Sequence, residues 1–296
     1  MNRQIIGTSL HTVYESIEDF EENAPKWYAQ NTGALEGSVF SRHAGGYRWF
    51  GAENAKVCMD KIRDGWPEML VKLLQMWGKD KPELTLATSM VKVRRRKRVR
   101  ADYGDTLHMD RVWNGDLQHA WERPERVYRL SASQRHATIF IDLGTTCLED
   151  AESVLWRAAA ALLICELLQR AGRAVEIYVG SSSRQSCVHS PIVDAWNAMR
   201  VKQYTQPLNP ENLAAMVTMA FFRTYGFIMI AASGYQVSAN FGYPMNKGLP
   251  VQLQERQEAG ELVVRIGHCN SRELAQQEFA KVRDAMAKDH TEEEAA

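Results

Sequence analysis

The feature that most constrains the fold is an alternation of short apolar runs with helical patterns in the second half of the chain. The runs at 136–144 and 175–180 are rich in β-branched and aromatic residues, as buried strands are. Between them, 149–172 has the Ala- and Leu-rich pattern of a helix. Further strands are predicted at 200–206 as an exposed edge, at 227–234 and at 261–267, with helices that begin at Asn209 and Asn270. This alternation predicts an α/β fold with a mostly parallel, doubly wound sheet.

The first half of the chain has a different character, so the sequence divides into four regions. Residues 1–90 carry polar helical patterns and predict a helical N-terminal region. Residues 91–135 form a basic strand and a connecting segment, residues 136–290 the α/β domain, and residues 291–296 a charged tail.

The charge balance excludes a whole-protein attraction to nucleic acid or to an acidic membrane, because 36 basic residues face 36 acidic ones in 296. The five cysteines are scattered without a Cys-x-x-Cys pair, which indicates reduced thiols in or near the core. The sequence has neither a secretion signal nor an apolar run long enough to span a bilayer. We therefore expect a cytoplasmic protein that does not bind membranes.

Polar residues that follow the predicted strands are the candidate functional residues. Ligands of open α/β sheets bind beyond the carboxyl ends of the strands, where loops vary in shape at little cost. We expect a partner-binding rim at that edge of the sheet, formed by Asp142, Thr145, Thr146, Ser182, Thr205 and Ser233.

The strand that ends at Asp142, with small and hydroxyl residues and then a long helix after it, resembles a von Willebrand factor A-like domain over 136–290. That family has a metal-ion-dependent adhesion site with Asp-x-Ser-x-Ser at this place, a Thr from a later loop and an Asp after the fourth strand. Asp142 matches the first Asp, while Thr146 and Thr205 match two of the hydroxyl residues. Gly144 and Ser233 stand where the family has Ser and Asp, so the resemblance implies a degenerate site.

Two interpretations of Asp142 follow. In the first, Asp142, Thr146 and Thr205 hold Mg²⁺ through hard oxygen ligands, with a single carboxylate to offset its dehydration. In the second, Asp142 is a turn residue that bonds to nearby backbone N–H groups. The missing second carboxylate favours the second interpretation, and with it a protein without a cofactor.

A narrower resemblance lies outside the α/β domain. Trp49-Phe50-Gly51, Asp64-Gly65-Trp66-Pro67 and Asp110-Arg111-Val112 are similar to segments of a group of bacteriophage-encoded proteins of unknown function. This resemblance implies a viral origin, and therefore a location in the cytoplasm of a host cell. It implies nothing about the mechanism.

The strongest local charge feature is the basic run Arg94, Arg95, Arg96, Lys97 and Arg98. Such a run binds nucleic acid when it lies along a phosphate backbone. It is also typical of an edge strand whose arginines point to water and meet nearby acids, here Asp102, Asp105, Asp110 and Asp116. We favour the solvated edge, because no aromatic residue that could stack on bases lies inside the run.

The common catalytic signatures are absent from the sequence, which has no Gly-x-Ser-x-Gly, no phosphate-binding lysine loop and no zinc spacing of His and Cys. We therefore predict a non-enzymatic protein-protein interaction module. A-like domains of the cobaltochelatase kind work beside ring-forming AAA+ ATPases, so the resemblance implies that class of partner. The alternative is nucleic-acid binding through the basic run, and the third hypothesis is a metal-dependent enzyme.

Overall fold

The structure is a computed structural model that describes residues 2–6, 9–32, 55–78, 97–101, 106–125, 136–145, 151–184, 194–233, 249–267 and 269–295. The chain divides into two compact units, the first made of Met1–Leu84 and Arg135–Ala296 and the second of Thr85–Gln134. Among the described residues, no helix is both long enough and apolar enough to cross a membrane.

The described residues form nine strands, which in chain order are β1 (Asn2–Ile6), β2 (Ser9–Tyr14), β3 (Lys97–Ala101), β4 (Thr106–Leu107), β5 (Trp121–Glu125), β6 (His136–Asp142), β7 (Ala174–Arg184), β8 (Asp194–Lys202) and β9 (Leu262–Ile266). They form ten α-helices, which are α1 (Ile17–Thr32), α2 (Ala55–Asp64), α3 (Pro67–Trp77), α4 (Met109–Trp113), α5 (Ala151–Arg170), α6 (Pro210–Met216), α7 (Met219–Phe221), α8 (Phe227–Ala232), α9 (Val251–Glu258) and α10 (Arg272–Ala295). A π-helix, Phe222–Gly226, joins α7 to α8.

The first unit is built on a six-stranded, mostly parallel sheet with the strand order β1-β2-β8-β7-β6-β9. β6 is parallel to both of its neighbours, and β2 is parallel to β8. β7 and β8 form a long antiparallel pair, as do β1 and β2. Along the strand direction, the carboxyl end of β8 therefore lies at the opposite end of the sheet from the carboxyl ends of β6 and β7.

The predicted strands at 136–144, 175–180 and 261–267 are confirmed as β6, β7 and β9, and the predicted helix at 149–172 is confirmed as α5. Ile139, Phe140 and Ile141 alternate between the two faces of the sheet and are all fully buried. Both faces of β6 are thus covered, as its continuous apolar run indicates. Leu253 of α9 packs in an apolar cluster with Phe140, Tyr178 and Trp196 on one face.

The strand predicted at 227–234 is wrong, because Phe227–Ala232 is the helix α8. Its residues are apolar all round, and a short apolar run has no period that separates a buried strand from a buried helix. The segment predicted as an edge strand at 200–206 contains the end of β8, an inner strand between β2 and β7. The N-terminal region holds α1, α2 and α3, but it also supplies β1 and β2, which the sequence analysis did not predict.

The second unit is a three-stranded antiparallel sheet with the order β3-β5-β4. α4 and a short 3₁₀ helix, Leu117–His119, lie between β4 and β5 in the chain. Lys97 of β3 is directly opposite Glu125 of β5, and Arg100 is opposite Glu122. Basic and acidic positions therefore face each other across this pair of strands.

Candidate functional site

Asp142, at the carboxyl end of β6, is the centre of a buried cluster at that edge of the sheet. Its Oδ1 accepts hydrogen bonds from the backbone N–H of Gly144 at 2.9 Å and of Ser182 at 3.4 Å. Its Oδ2 accepts one from the Ser182 hydroxyl at 2.5 Å and one from Nη2 of Arg265 at 2.6 Å. We call Asp142, Ser182 and Arg265 the strand-end cluster, because they join β6, β7 and β9.

A second guanidinium group supports the same strand end. Arg157 of α5 is buried and donates to the carbonyl oxygens of Asp142 at 2.9 Å and of Gly144 at 3.0 Å. Asp142, Thr145 and Ser182 are also buried. The cluster thus bonds strand ends to one another inside the protein, and its side chains do not form the exposed rim that the sequence analysis expects.

The strand-end cluster does not fit a divalent metal ion. The Arg265 guanidinium already supplies the positive charge beside Asp142, and Nη2 lies 3.0 Å from the Ser182 hydroxyl as well. The hydrogen bonds from Gly144 and Ser182 agree with the interpretation of Asp142 as a turn residue. Among the described residues, no group of three or more His, Cys, Asp or Glu side chains could hold a metal.

The other predicted rim residues do not join this cluster. Thr205 follows β8, whose antiparallel direction places its carboxyl end at the opposite edge of the sheet. Ser233 follows the helix α8, is buried, and donates to the carbonyl oxygen of Ile230 at 2.6 Å. Thr146 lies outside the described residues. The expected convergence requires the strand before Thr205 to run parallel to β6 and β7, whereas β8 is antiparallel to β7.

Of the basic run, Arg94, Arg95 and Arg96 lie outside the described residues, while Lys97 and Arg98 begin β3. β3 is an edge strand of the three-stranded sheet in the described part of the second unit, as the sequence analysis favours.

A second buried ionic cluster, which the sequence analysis missed, is centred on Glu176 of β7. Glu176 is 2% exposed and accepts from Arg256 at 2.6 Å, from the Tyr178 hydroxyl at 3.0 Å and from Arg200 at 3.3 Å. Burial and the neighbouring Glu176 carboxylate raise the pKa of Tyr178 to about 12, so its hydroxyl remains a hydrogen-bond donor to Glu176 well above neutral pH. A glutamate within the apolar run VEIYVG is the sequence signal that could have indicated this cluster.

Further hydrogen bonds extend the Glu176 cluster to neighbouring elements. Arg256 of α9 also donates to the hydroxyls of Thr138 and Tyr204, at 3.1 Å each. Tyr204 donates in turn to Glu261 at 2.7 Å. The cluster therefore attaches α9 and the residue before β9 to the central strands, and its charged groups are committed to one another.

Two nucleophilic groups, Lys202 on β8 and Cys165 on α5, are buried inside the first unit. Lys202 donates to the carbonyl oxygens of Val175 at 2.5 Å and of Gln203 at 3.0 Å, and burial lowers the pKa of its amine. Burial raises the pKa of the Cys165 thiol to about 11, so it is protonated at neutral pH. Cys165 and Cys269 are free and buried, which confirms the predicted reduced core thiols at these two positions.

We expect the buried His11 on β2 to make the stability of the first unit depend on pH. It is 1% exposed, its ring contacts Trp196 edge-to-face, and burial lowers its pKa from 6.5 to about 4. Between pH 6.5 and 4 the unfolded chain therefore binds a proton that the folded protein does not bind, so stability falls as the pH falls through this range. We expect a loss of about 3 kcal/mol in the wild type. The free energy of unfolding is measured by urea titration at pH 7 and at pH 4. In His11→Phe it should lack the loss that the wild type shows between these two pH values. If the free energy of unfolding changed equally with pH in the wild type and in His11→Phe, the role assigned to His11 would be contradicted.

The second unit carries an exposed apolar surface. Met109 and Trp113 are four residues apart on α4 and so share one face, and the two residues are 52% and 82% exposed. Leu107 at the end of β4 is 39% exposed. We call these three residues the apolar patch. Trp and Met are enriched at protein-protein interfaces relative to the rest of the surface.

The first unit has an apolar cavity of about 340 Å³ between α3 and α5. Its walls include Leu73, Trp77, Ala159 and Leu163, and Glu166 and Gln169 are the polar residues that line it. Its volume is at the lower end of the range for small-molecule pockets.

The fold and these sites define an α/β protein with two buried ionic clusters in one unit and an exposed apolar patch in the other. The chain belongs to a family described as Domain of unknown function (DUF7192), whose family model matches residues 3–292. Neither a curated protein nor a solved structure matches the chain.

Proposed function

We propose that this protein is a non-enzymatic protein-protein interaction module whose second unit carries the contact surface. The observation that supports this proposal most directly is the apolar patch, where Trp113 exposes 82% of its surface to solvent. A tryptophan, a methionine and a leucine close together in the chain provide a large apolar area that a partner can bury.

The strand-end cluster supports the non-enzymatic part of the proposal. A general acid or base must reach a substrate, whereas Asp142 is fully buried and bonded to Arg265 and Ser182. A metal-dependent enzyme is disfavoured for the same reason, because the guanidinium takes the place beside the carboxylate that a metal would need.

Nucleic-acid binding through the basic run is the less favoured function. Lys97 of the basic run stands opposite Glu125 in the register of β3 and β5, and Arg100, which follows the run, stands opposite Glu122. Acidic positions directly opposite basic ones reduce the local positive charge that would attract phosphates.

The resemblance to von Willebrand A-like domains remains part of this proposal. A strand that ends in a buried Asp142, followed by the long helix α5 and a parallel neighbour β7, supports it. On this resemblance we propose an AAA+ ATPase as the first partner to test. On the N-terminal resemblance we propose a bacteriophage origin and a place in the host cytoplasm.

The proposal predicts that Trp113→Ala weakens partner binding by about 30-fold or more, since a central interface Trp contributes at least about 2 kcal/mol. The partner would be identified by crosslinking and mass spectrometry from the native cells, and its Kd measured by calorimetry with purified proteins. Because Trp113 is exposed, the stability of the variant should change by less than about 0.5 kcal/mol.

Val71→Ala is the matched control, because Val71 is 52% exposed on a helix of the first unit. Its Kd should stay within about twofold of the wild-type value. Equal binding by Trp113→Ala and the wild type would contradict the proposed surface. Nanomolar binding of DNA or RNA that is lost in Lys97→Ser, Arg98→Ser would establish the nucleic-acid function instead.

A further inference from the structure

Three polar side chains form one row across the first unit's sheet: Thr12 on β2, Asn197 on β8 and Ser181 on β7. Thr12 is directly opposite Asn197, and Asn197 is directly opposite Ser181. Directly opposite residues point to the same face of a sheet, so the three side chains are neighbours. Each is at most 1% exposed.

The polar atoms of this row have no hydrogen-bond partner among the described residues. This holds for the hydroxyls of Thr12 and Ser181 and for both the oxygen and the nitrogen of the Asn197 amide. More than nine in ten buried polar groups in native proteins are paired with protein or with ordered water. Three adjacent exceptions on three adjacent strands therefore indicate that a polar species binds there.

The row faces a layer of helices. Tyr14 is two residues after Thr12 on β2 and so points to the same face. Its ring contacts Phe20 of α1 edge-to-face at 5.1 Å, and Phe20 contacts Tyr225 of the π-helix at 4.8 Å. The Tyr14 hydroxyl is also buried without a hydrogen-bond partner in the described part of the chain. The unpaired groups thus lie between the sheet and the layer that contains α1 and the π-helix.

We propose that Thr12, Asn197 and Ser181 bind internal water, with about one molecule between Asn197 and each neighbouring hydroxyl. The row offers hydroxyl and amide groups without a charge, which suits a neutral ligand with both donors and acceptors. Because the row is completely buried, we infer the smallest such ligand, which is a water molecule. Direct bonds from two hydroxyls cannot satisfy an amide that has two donors and an oxygen with two lone pairs.

The test compares two substitutions at one position. Thr12→Val keeps the shape of the side chain and removes the hydroxyl, while Thr12→Ser keeps the hydroxyl and serves as the control. Internal water molecules are counted by magnetic relaxation dispersion of ¹⁷O and ²H, and stability is measured as Tm. We expect Thr12→Val to lose about one internal water and to lower Tm by about 2 to 4 °C, and Thr12→Ser to keep the wild-type water count.

A higher Tm for Thr12→Val than for the wild type would overturn the inference. A dry row contains a buried hydroxyl without a partner, so its removal in Thr12→Val would raise Tm. An unchanged water count in Thr12→Val would also overturn the inference, whatever happens to Tm. Because both readouts concern β2, β7 and β8, they are independent of the proposed function of the second unit.

Discussion

Replacement of Arg265 by methionine is expected to lower the free energy of unfolding by about 3 to 5 kcal/mol. The Arg265 side chain is 12% exposed and Asp142 is fully buried, so the substitution leaves a buried carboxylate without its cation. Removal of one partner of a buried ion pair is costly because the other charge cannot return to water. Urea unfolding of the full chain measures the effect.

Two variants show whether the cost comes from the unpaired charge. Arg170→Met breaks the pair with Glu166, whose N–O distance is 2.5 Å but whose side chains are 53% and 40% exposed. It should cost less than about 1 kcal/mol. Asp142→Asn combined with Arg265→Met should cost less than the sum of the single changes, because no unpaired charge remains. Equal losses for Arg265→Met and Arg170→Met would contradict the structural role of the strand-end cluster.

Gly180→Ala is expected to destabilise the protein by about 3 kcal/mol or more, because β7 and β8 approach each other closely at this residue. A Cβ atom at Gly180 would lie 2.0 Å from the carbonyl oxygen of Asn197 and 2.6 Å from Cα of Ala198. Both contacts are with the backbone, so a side-chain rotation cannot relieve them. Asn197 belongs to the polar row, and Asp142 is paired in register with Gly180. Separation of the strands here would therefore disturb both features.

Gly260→Ala is the control for this prediction. Gly260 has a φ of +88°, but a Cβ atom there meets nothing within 4 Å. The substitution should cost only the conformational strain of a left-handed residue, about 1 to 2 kcal/mol. Both free energies of unfolding come from urea titrations. A smaller loss for Gly180→Ala than for Gly260→Ala would contradict the close approach of β7 and β8.

The two buried ionic clusters attach different parts of the chain to the central strands. The strand-end cluster joins β6, β7 and β9 at one edge, and the Glu176 cluster joins β7 and β8 to α9. Substitutions in these clusters are therefore expected to change stability. Substitutions in the apolar patch of the second unit are expected to change partner binding while stability is retained.

The sequence by itself determined the elements whose pattern is local. β6, β7 and β9 are short apolar runs bounded by polar residues, and α5 is a long helical pattern that ends near Gly172. These elements could be predicted because burial and helical periodicity depend on residues close together in the chain. The segment Phe227–Ala232 could not, since its residues are apolar on all sides and only its packing makes it a helix.

Only the tertiary structure decided which residues meet. The antiparallel direction of β8 separates Thr205 from Asp142, although both lie near the carboxyl ends of predicted strands. Arg265 lies 123 residues from Asp142 in the chain, and Arg256 lies 80 residues from Glu176. Nothing in the local pattern of either pair specifies its partner, because strand order and strand direction depend on the packing of the whole unit. The ionic clusters of this protein are therefore a product of its topology.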